Sequence, residues 1–106
     1  NRDLIRRALT METEILEELW DVIKDRKENP KESSYTNKLL GNEAMIIRKL
    51  REELAEIEQS AKDGCCGGGK DSLEWEAADF IYHLMVLLAA KNAEFDDVLK
   101  ELKSRR

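Results

Sequence analysis

The stretch Ser72–Ala90, SLEWEAADFIYHLMVLLAA, decides how the chain folds. From Ala77 to Ala90 nearly every residue is apolar, yet Glu76, Asp79 and His83 stand within or beside the run. A helix turns about 100° per residue, which places these three side chains within an arc of roughly 60°. A helix that is apolar on every side is normally buried, and a buried carboxylate is costly unless something balances it. Two acids and an imidazole on one strip of a buried helix therefore point to a cation.

Working outward, helical signals fill most of the chain. METEILEELWDVIKDRK predicts a helix to about Lys27, with Ile15, Leu19, Val22 and Ile23 on one face. Pro30, the serine pair and Gly41 break the period in ENPKESSYTNKLLGN, which reads as a loop. A second helix is expected from about Asn42 to Lys62, with Ile46, Ile47, Leu50, Leu54, Ile57 and Ala61 as its apolar stripe. A glycine-rich linker, residues 63–71, leads to the third helix, capped at Asp71 or Ser72 and running to about Lys91. EFDDVLKELKSRR closes the chain as a short amphipathic helix, with Asp96 or its neighbour near the cap. There are no strand signals and no internal repeats. The expected fold is an all-α bundle of about four helices in one domain over residues 1–106.

The 106 residues suffice for one modest core, and a formal charge of −5 makes the chain a poor nucleic-acid binder in bulk. No apolar run reaches the length that spans a bilayer, so no membrane partner is expected. No secretory signal is evident, and Arg-rich NRDLIRRALTM reads as a leader remnant, a fusion scar or a first helical turn. The adjacent Cys65 and Cys66 form neither a zinc pattern nor a ready bridge, which fits two thiols in a reduced, cytoplasmic chain. Gly64–Asp71, GCCGGGKD, fits the phosphate-loop pattern except for its final hydroxyl. A helix instead of a strand precedes it, so it reads as a flexible connector.

The second helix carries its own acids. On the expected stripe, Glu53 lies about 70° from the centre and Glu56 about 130°, with Lys49 between them and Glu52 nearly opposite. Glu53 and Glu56 repeat the i, i+3 spacing of Glu76 and Asp79. Taken alone, the first pair is an ordinary solvated flank. Packed antiparallel against the third helix, it brings four carboxylates together, and their mutual repulsion favours protonation or a hard divalent cation. Oxygen-only ligands select Mg²⁺, with Mn²⁺ as an alternative, and Mg²⁺ so held is usually completed by substrate phosphates.

REELAE (51–56) followed by EAAD (76–79) resembles the E-E-x-x-E…E-x-x-D signature of the all-α MazG-like nucleoside triphosphate pyrophosphatases. VIKDRKENPKESSYTNKLL (22–40), KLREELAE (49–56) and EAADFIYHLMVLLAAKNAEFDDVLKELKSR (76–105) resemble, more narrowly, the phosphoribosyl-ATP pyrophosphatases of histidine biosynthesis. The resemblance runs from about Leu16 to Arg106. Arg51, where that family commonly has a small residue, and the Cys/Gly-rich linker depart from it, and Asn1–Thr10 have no counterpart. The family is often fused behind a cyclohydrolase domain, for which residues 1–15 are too short.

The resemblance implies Mg²⁺-dependent hydrolysis of 1-(5-phosphoribosyl)-ATP to the AMP form and pyrophosphate. It implies Glu53, Glu56, Glu76 and Asp79 as ligands, with one of them or Glu52 orienting the attacking water. Arg26, Lys27, Ser34, Tyr35 and Lys38 fall where phosphates and ribose are expected. Lys49 either pairs with Glu53 or meets a phosphate. His83 is either a substrate contact or a buried hydrogen-bonding partner of the acids. A homodimer with sites near the subunit boundary is also implied. The other readings are a house-cleaning pyrophosphatase, which needs the acids but not SYTNKLL, and a non-catalytic helical dimer module.

Overall fold

The computed structural model describes residues 11–63 and 68–106. Among the described residues five helices follow one another: α1 (Glu14–Glu28), α2 (Tyr35–Leu40), α3 (Glu43–Lys62), α4 (Leu73–Ala90) and α5 (Phe95–Arg105). Among the described residues there is no strand, and no helix is long and apolar enough to cross a membrane. The expectations for Asn1–Thr10, Cys65 and Cys66 lie outside the described residues.

Local chemistry sets most helix ends. The Ser72 hydroxyl accepts from the Trp75 amide at 3.1 Å and caps α4, while Asn42 caps α3 through the Met45 amide at 3.1 Å. Glu14 and Glu17 in the first turn of α1, and Arg26 and Lys27 in its last, complement the helix dipole. That helix stops at Asn29, immediately before Pro30. Asn92 ends α4 in the left-handed region at φ 61°. The amides of Asn92 and Ala93 return to the carbonyls of Ala89 and Leu88 at 3.1 and 2.8 Å, a Schellman closure.

The α2 helix corrects the expectation of a loop between Glu28 and Asn42. Ser34 accepts from the Asn37 amide at 3.3 Å, and the Asn37 side chain donates to the Arg26 carbonyl at 2.7 Å. Leu39 is driven into the core with no exposed area. Six residues are too few to show a helical period against Pro30 and Gly41, so a capping serine and one buried leucine carry the element.

The core is small: Ile23, Leu39, Ile46, Met85, Val86 and Ala89, one patch from each of the first four helices. The most extensive packing joins α3 to α4. Their register is antiparallel, because Glu43 meets Lys91, Glu53 meets His83, and the Ser60 hydroxyl meets the Asp71 carbonyl.

The inner line of α3 keeps Ile46 and Leu50 of the expected apolar stripe on the core but departs from it further along the helix. Ile46, Glu53 and Ser60, seven residues apart, are buried, whereas Leu54 is 58% exposed and Ala61 also faces out. Likewise, Ile15 and Val22 of α1 and Ile81 and Leu84 of α4 remain substantially exposed. The contact with α4 rotates α3 so that an acid, and not a leucine, meets His83.

Candidate active site

The carboxylates expected to meet do meet electrostatically, at the polar end of the α3–α4 contact. Glu53 is only 4% exposed, and its carboxyl is pushed up to about 7, first by burial and then by Asp79, with Glu56 and Glu76 adding to the effect and Lys49 opposing it. Glu76 is equally covered, and it too is pushed up to about 7. There the leading cause is a hydrogen bond with Glu56, followed by burial and by the charges of Glu56, Asp79 and Asp71. Two carboxyls in hydrogen-bond contact must share a proton, which is why Glu76 holds one near neutrality.

Two oxygens stand out. Glu53 Oε1 and Glu76 Oε2 are fully buried with no hydrogen-bond partner. His83 Nδ1 lies 2.8 Å from Glu53 Oε1, but it lies equally close to the Asp79 carbonyl, where the bond geometry is satisfied. One ring N–H cannot fully serve both acceptors, so Glu53 Oε1 has a neighbour without a committed bond. Buried carboxylate oxygens without donors, on groups held partly protonated by each other's charge, are the donor set a hard cation would satisfy. The acids thus fit Mg²⁺ chemically. Among the described residues, however, no three His, Cys, Asp or Glu side chains are already arranged around a single point as a metal cage. Beside Glu56 and Glu76, an open cleft of about 260 Å³ is lined also by Gln59, Ser60, Asp63 and Asp71.

The remaining sequence-derived residues divide in two. Tyr35 and His83 join the acids: the Tyr35 hydroxyl lies 2.9 Å from His83 Nε2, and burial is the main reason the Tyr35 phenol is raised above its usual value. Ser34, as the cap of α2, stands immediately before Tyr35. Lys49 is paired with Glu52 at 3.4 Å instead of with Glu53. Burial alone would lower the Lys49 ammonium, but Glu52, Tyr35 and Glu53 outweigh it and raise it. Glu52, half-exposed and also 3.8 Å from Arg48, points away from the buried acids as its helical phase requires.

The cations of α1 are engaged elsewhere. Arg26 pairs with Asp25 at 3.0 Å. The Lys27 ammonium donates to the Ala89 carbonyl at 2.7 Å and to the Asn92 side chain, so it caps the far end of α4. Lys38 is exposed in the last turn of α2. Thr36, expected with Ser34 and Tyr35 among the hydroxyls near phosphates and ribose, instead bonds the Tyr82 hydroxyl and fastens α2 to α4, and sequence reasoning missed Tyr82. The pair is visible in the sequence only as YT and YH, with nothing to say that they meet.

An all-α bundle whose two longest helices pool their carboxylates on a buried strip fits the class of MazG-like pyrophosphatases that the sequence resembles. The family model described as phosphoribosyl-ATP pyrophosphohydrolase matches residues 16–106, and the chain belongs to that family. It is 43% identical over 94 residues to the phosphoribosyl-ATP pyrophosphatase of Clostridium novyi, covering 88% of this chain and 82% of that protein. It is 40% identical over 96 residues to the enzyme of the same name from Methanocella arvoryzae, covering 88% of this chain and 97% of that protein. The histidine biosynthesis bifunctional protein HisIE of Caldanaerobacter subterraneus is 43% identical over 93 residues, which are 87% of this chain and 43% of that longer protein.

Proposed function

We propose that the chain hydrolyses 1-(5-phosphoribosyl)-ATP to 1-(5-phosphoribosyl)-AMP and pyrophosphate in the cytoplasm, as a step of histidine biosynthesis. Family membership supports the substrate. The observation that carries the chemistry is the pair of buried, unpartnered carboxylate oxygens on Glu53 and Glu76. Glu53, Glu56, Glu76 and Asp79 are the Mg²⁺ ligands in this reading, and Mn²⁺ suits the same oxygens. The cation, when bound, neutralises the polyphosphate so that a water can attack phosphorus.

The protein's own residues do the rest. Glu53, on α3 and facing His83, is the acid this reading gives the orienting of the attacking water. Glu52 keeps Lys49 beside the acids, where its ammonium meets a phosphate. Ser34, Tyr35 and Lys38 on α2 offer hydroxyls and a cation at the same edge. Arg26 and Lys27 reach a substrate only by leaving Asp25 and Ala89. In a turnover assay with Mg²⁺, pyrophosphate release from phosphoribosyl-ATP is expected to exceed that from dUTP or dCTP by orders of magnitude. Equal or faster release from the simple nucleotides would move the chain to the house-cleaning reading.

The working unit in this proposal is a homodimer. Leu54, Ile81, Leu84 and Trp75 on α3 and α4 are 37–58% exposed, too much apolar surface on two packed helices to leave in water. A second copy covers such faces symmetrically. Light scattering at micromolar concentration is expected to give twice the chain mass, and Leu54→Glu with Leu84→Glu to lower it. A fully active monomer would remove this part of the proposal.

A further inference from the structure

A three-residue chain runs from the surface to the acids. The Tyr35 hydroxyl at the start of α2 meets His83 Nε2 at 2.9 Å, and His83 Nδ1 meets Glu53 Oε1 and the Asp79 carbonyl, each at 2.8 Å. The imidazole is 5% exposed and boxed by two aromatic rings, with the Tyr35 and Tyr82 centroids 5.8 and 5.0 Å away and nearly perpendicular. It cannot turn over without breaking that box. Tyr35 is also the first residue of α2, whose second residue, Thr36, is bonded to Tyr82.

We infer that Tyr35 and His83 are positioning residues: the two oxygens facing Nδ1 fix the imidazole tautomer, and the bare Nε2 then takes the Tyr35 hydroxyl, tying α2 to the acid strip beside Glu53. A neutral imidazole has one N–H and one bare nitrogen. The Asp79 carbonyl can only accept and Glu53 Oε1 stands beside it, so the hydrogen must sit on Nδ1, and the Tyr35 hydroxyl then donates to the bare Nε2. The opposite tautomer would set a lone pair of Nδ1 against a carboxylate oxygen and a carbonyl oxygen together, which is repulsive at 2.8 Å. The ring N–H bonds to the Asp79 carbonyl and stands 2.8 Å from Glu53 Oε1, so its positive end sets the field at that oxygen, and such outer partners commonly govern ligand affinity 10–100-fold. The chain also ties the Ser34–Lys38 segment to the carboxylates, so that placing one places the other.

This inference uses the reading that Glu53 is a metal ligand only in its second measurement. His83 is the chain's single histidine, so its ¹⁵N resonances need no assignment. In metal-free wild-type protein near neutral pH, Nδ1 is expected to carry the hydrogen and Nε2 to be bare. Tyr35→Phe is expected to leave the hydrogen on Nδ1 and to shift the Nε2 resonance, which loses its donor, while the far-ultraviolet spectrum stays helical. A wild-type ring protonated on Nε2, or an unchanged spectrum in Tyr35→Phe, overturns the proposal.

Direct Mn²⁺ binding supplies the second measurement. His83→Asn keeps a donor near the Nδ1 position and is expected to bind within about 3-fold of wild type, while His83→Gln, which puts its amide near Nε2, weakens binding about 10–100-fold. Equal binding by Asn, Gln and Leu at this position would also overturn the proposal. Wild-type protein that binds no Mn²⁺ at all would instead sink the metal-site reading, leaving the ring spectra to judge the chain.

Discussion

Glu76→Gln is expected to lower kcat/KM by a factor of about 10³ or more and, in the same protein, to raise the melting temperature of the metal-free form above pH 7. The two outcomes share one cause. Glu76 is 96% covered, one of its oxygens lacks a partner, and its hydrogen bond with Glu56 requires a proton that neutral water is ready to remove. A glutamine amide supplies that hydrogen permanently, so the Glu56 contact survives without strain. The same amide cannot serve as an anionic ligand, so the cation loses an oxygen it needs. Glu53→Gln is expected to follow the same pattern, since burial and Asp79 hold its carboxyl up as well. Stability lost together with activity would mark these acids as structural. Activity retained at saturating Mg²⁺ would dissolve the assigned site.

Much of this was legible in residues 72–90. The acids of α4 at i and i+3 within an apolar run, and the matching pair on α3, imply an antiparallel helix pair with carboxylates between, and the described fold has it. The phase of α3 was legible only in part. Periodicity gathers Ile46, Leu50, Leu54 and Ile57 into a stripe, of which Ile46 and Leu50 face the core, but Glu53 also lies on the inner line, facing the buried His83 of α4. Hydrophobic pattern records which side chains avoid water, and cannot record whether the cover comes from the same chain. Leu54 reads as part of the apolar stripe and is 58% exposed, a face that the proposed homodimer would cover. Lys27 illustrates the other gap. Its place among basic residues suggested phosphate, whereas a long-range contact with the α4 terminus, 62 residues away, uses its charge.

Chelating all divalent cations is expected to reduce phosphoribosyl-ATP hydrolysis to background and to leave a protein whose stability falls as pH rises. The sign follows from the two raised acids. Glu53 and Glu76 stand near 7 in the folded chain against 4.5 in the unfolded one, so between those values the folded state binds more protons. Stability therefore declines with pH across that window: the contribution is fully present below about 4.5 and is lost once pH passes about 7. In EDTA, the melting temperature is expected to fall by at least about 5 °C between pH 5 and pH 8, since each kcal/mol moves a domain of this size by roughly 4–8 °C. The remaining acids titrate as well, so the Glu53→Gln/Glu76→Gln double variant is the reference, and its decline should be visibly smaller. Adding Mg²⁺ at pH 8 is expected to restore the wild-type melting temperature and leave the double variant unmoved, because a ligand that binds only the folded state stabilises it in proportion to its occupancy. At pH 5 the same addition should do little, as both acids then hold protons where the cation would sit. An Mg²⁺ effect that is equal at both pH values, or equal in the double variant, would separate the raised acids from the metal altogether.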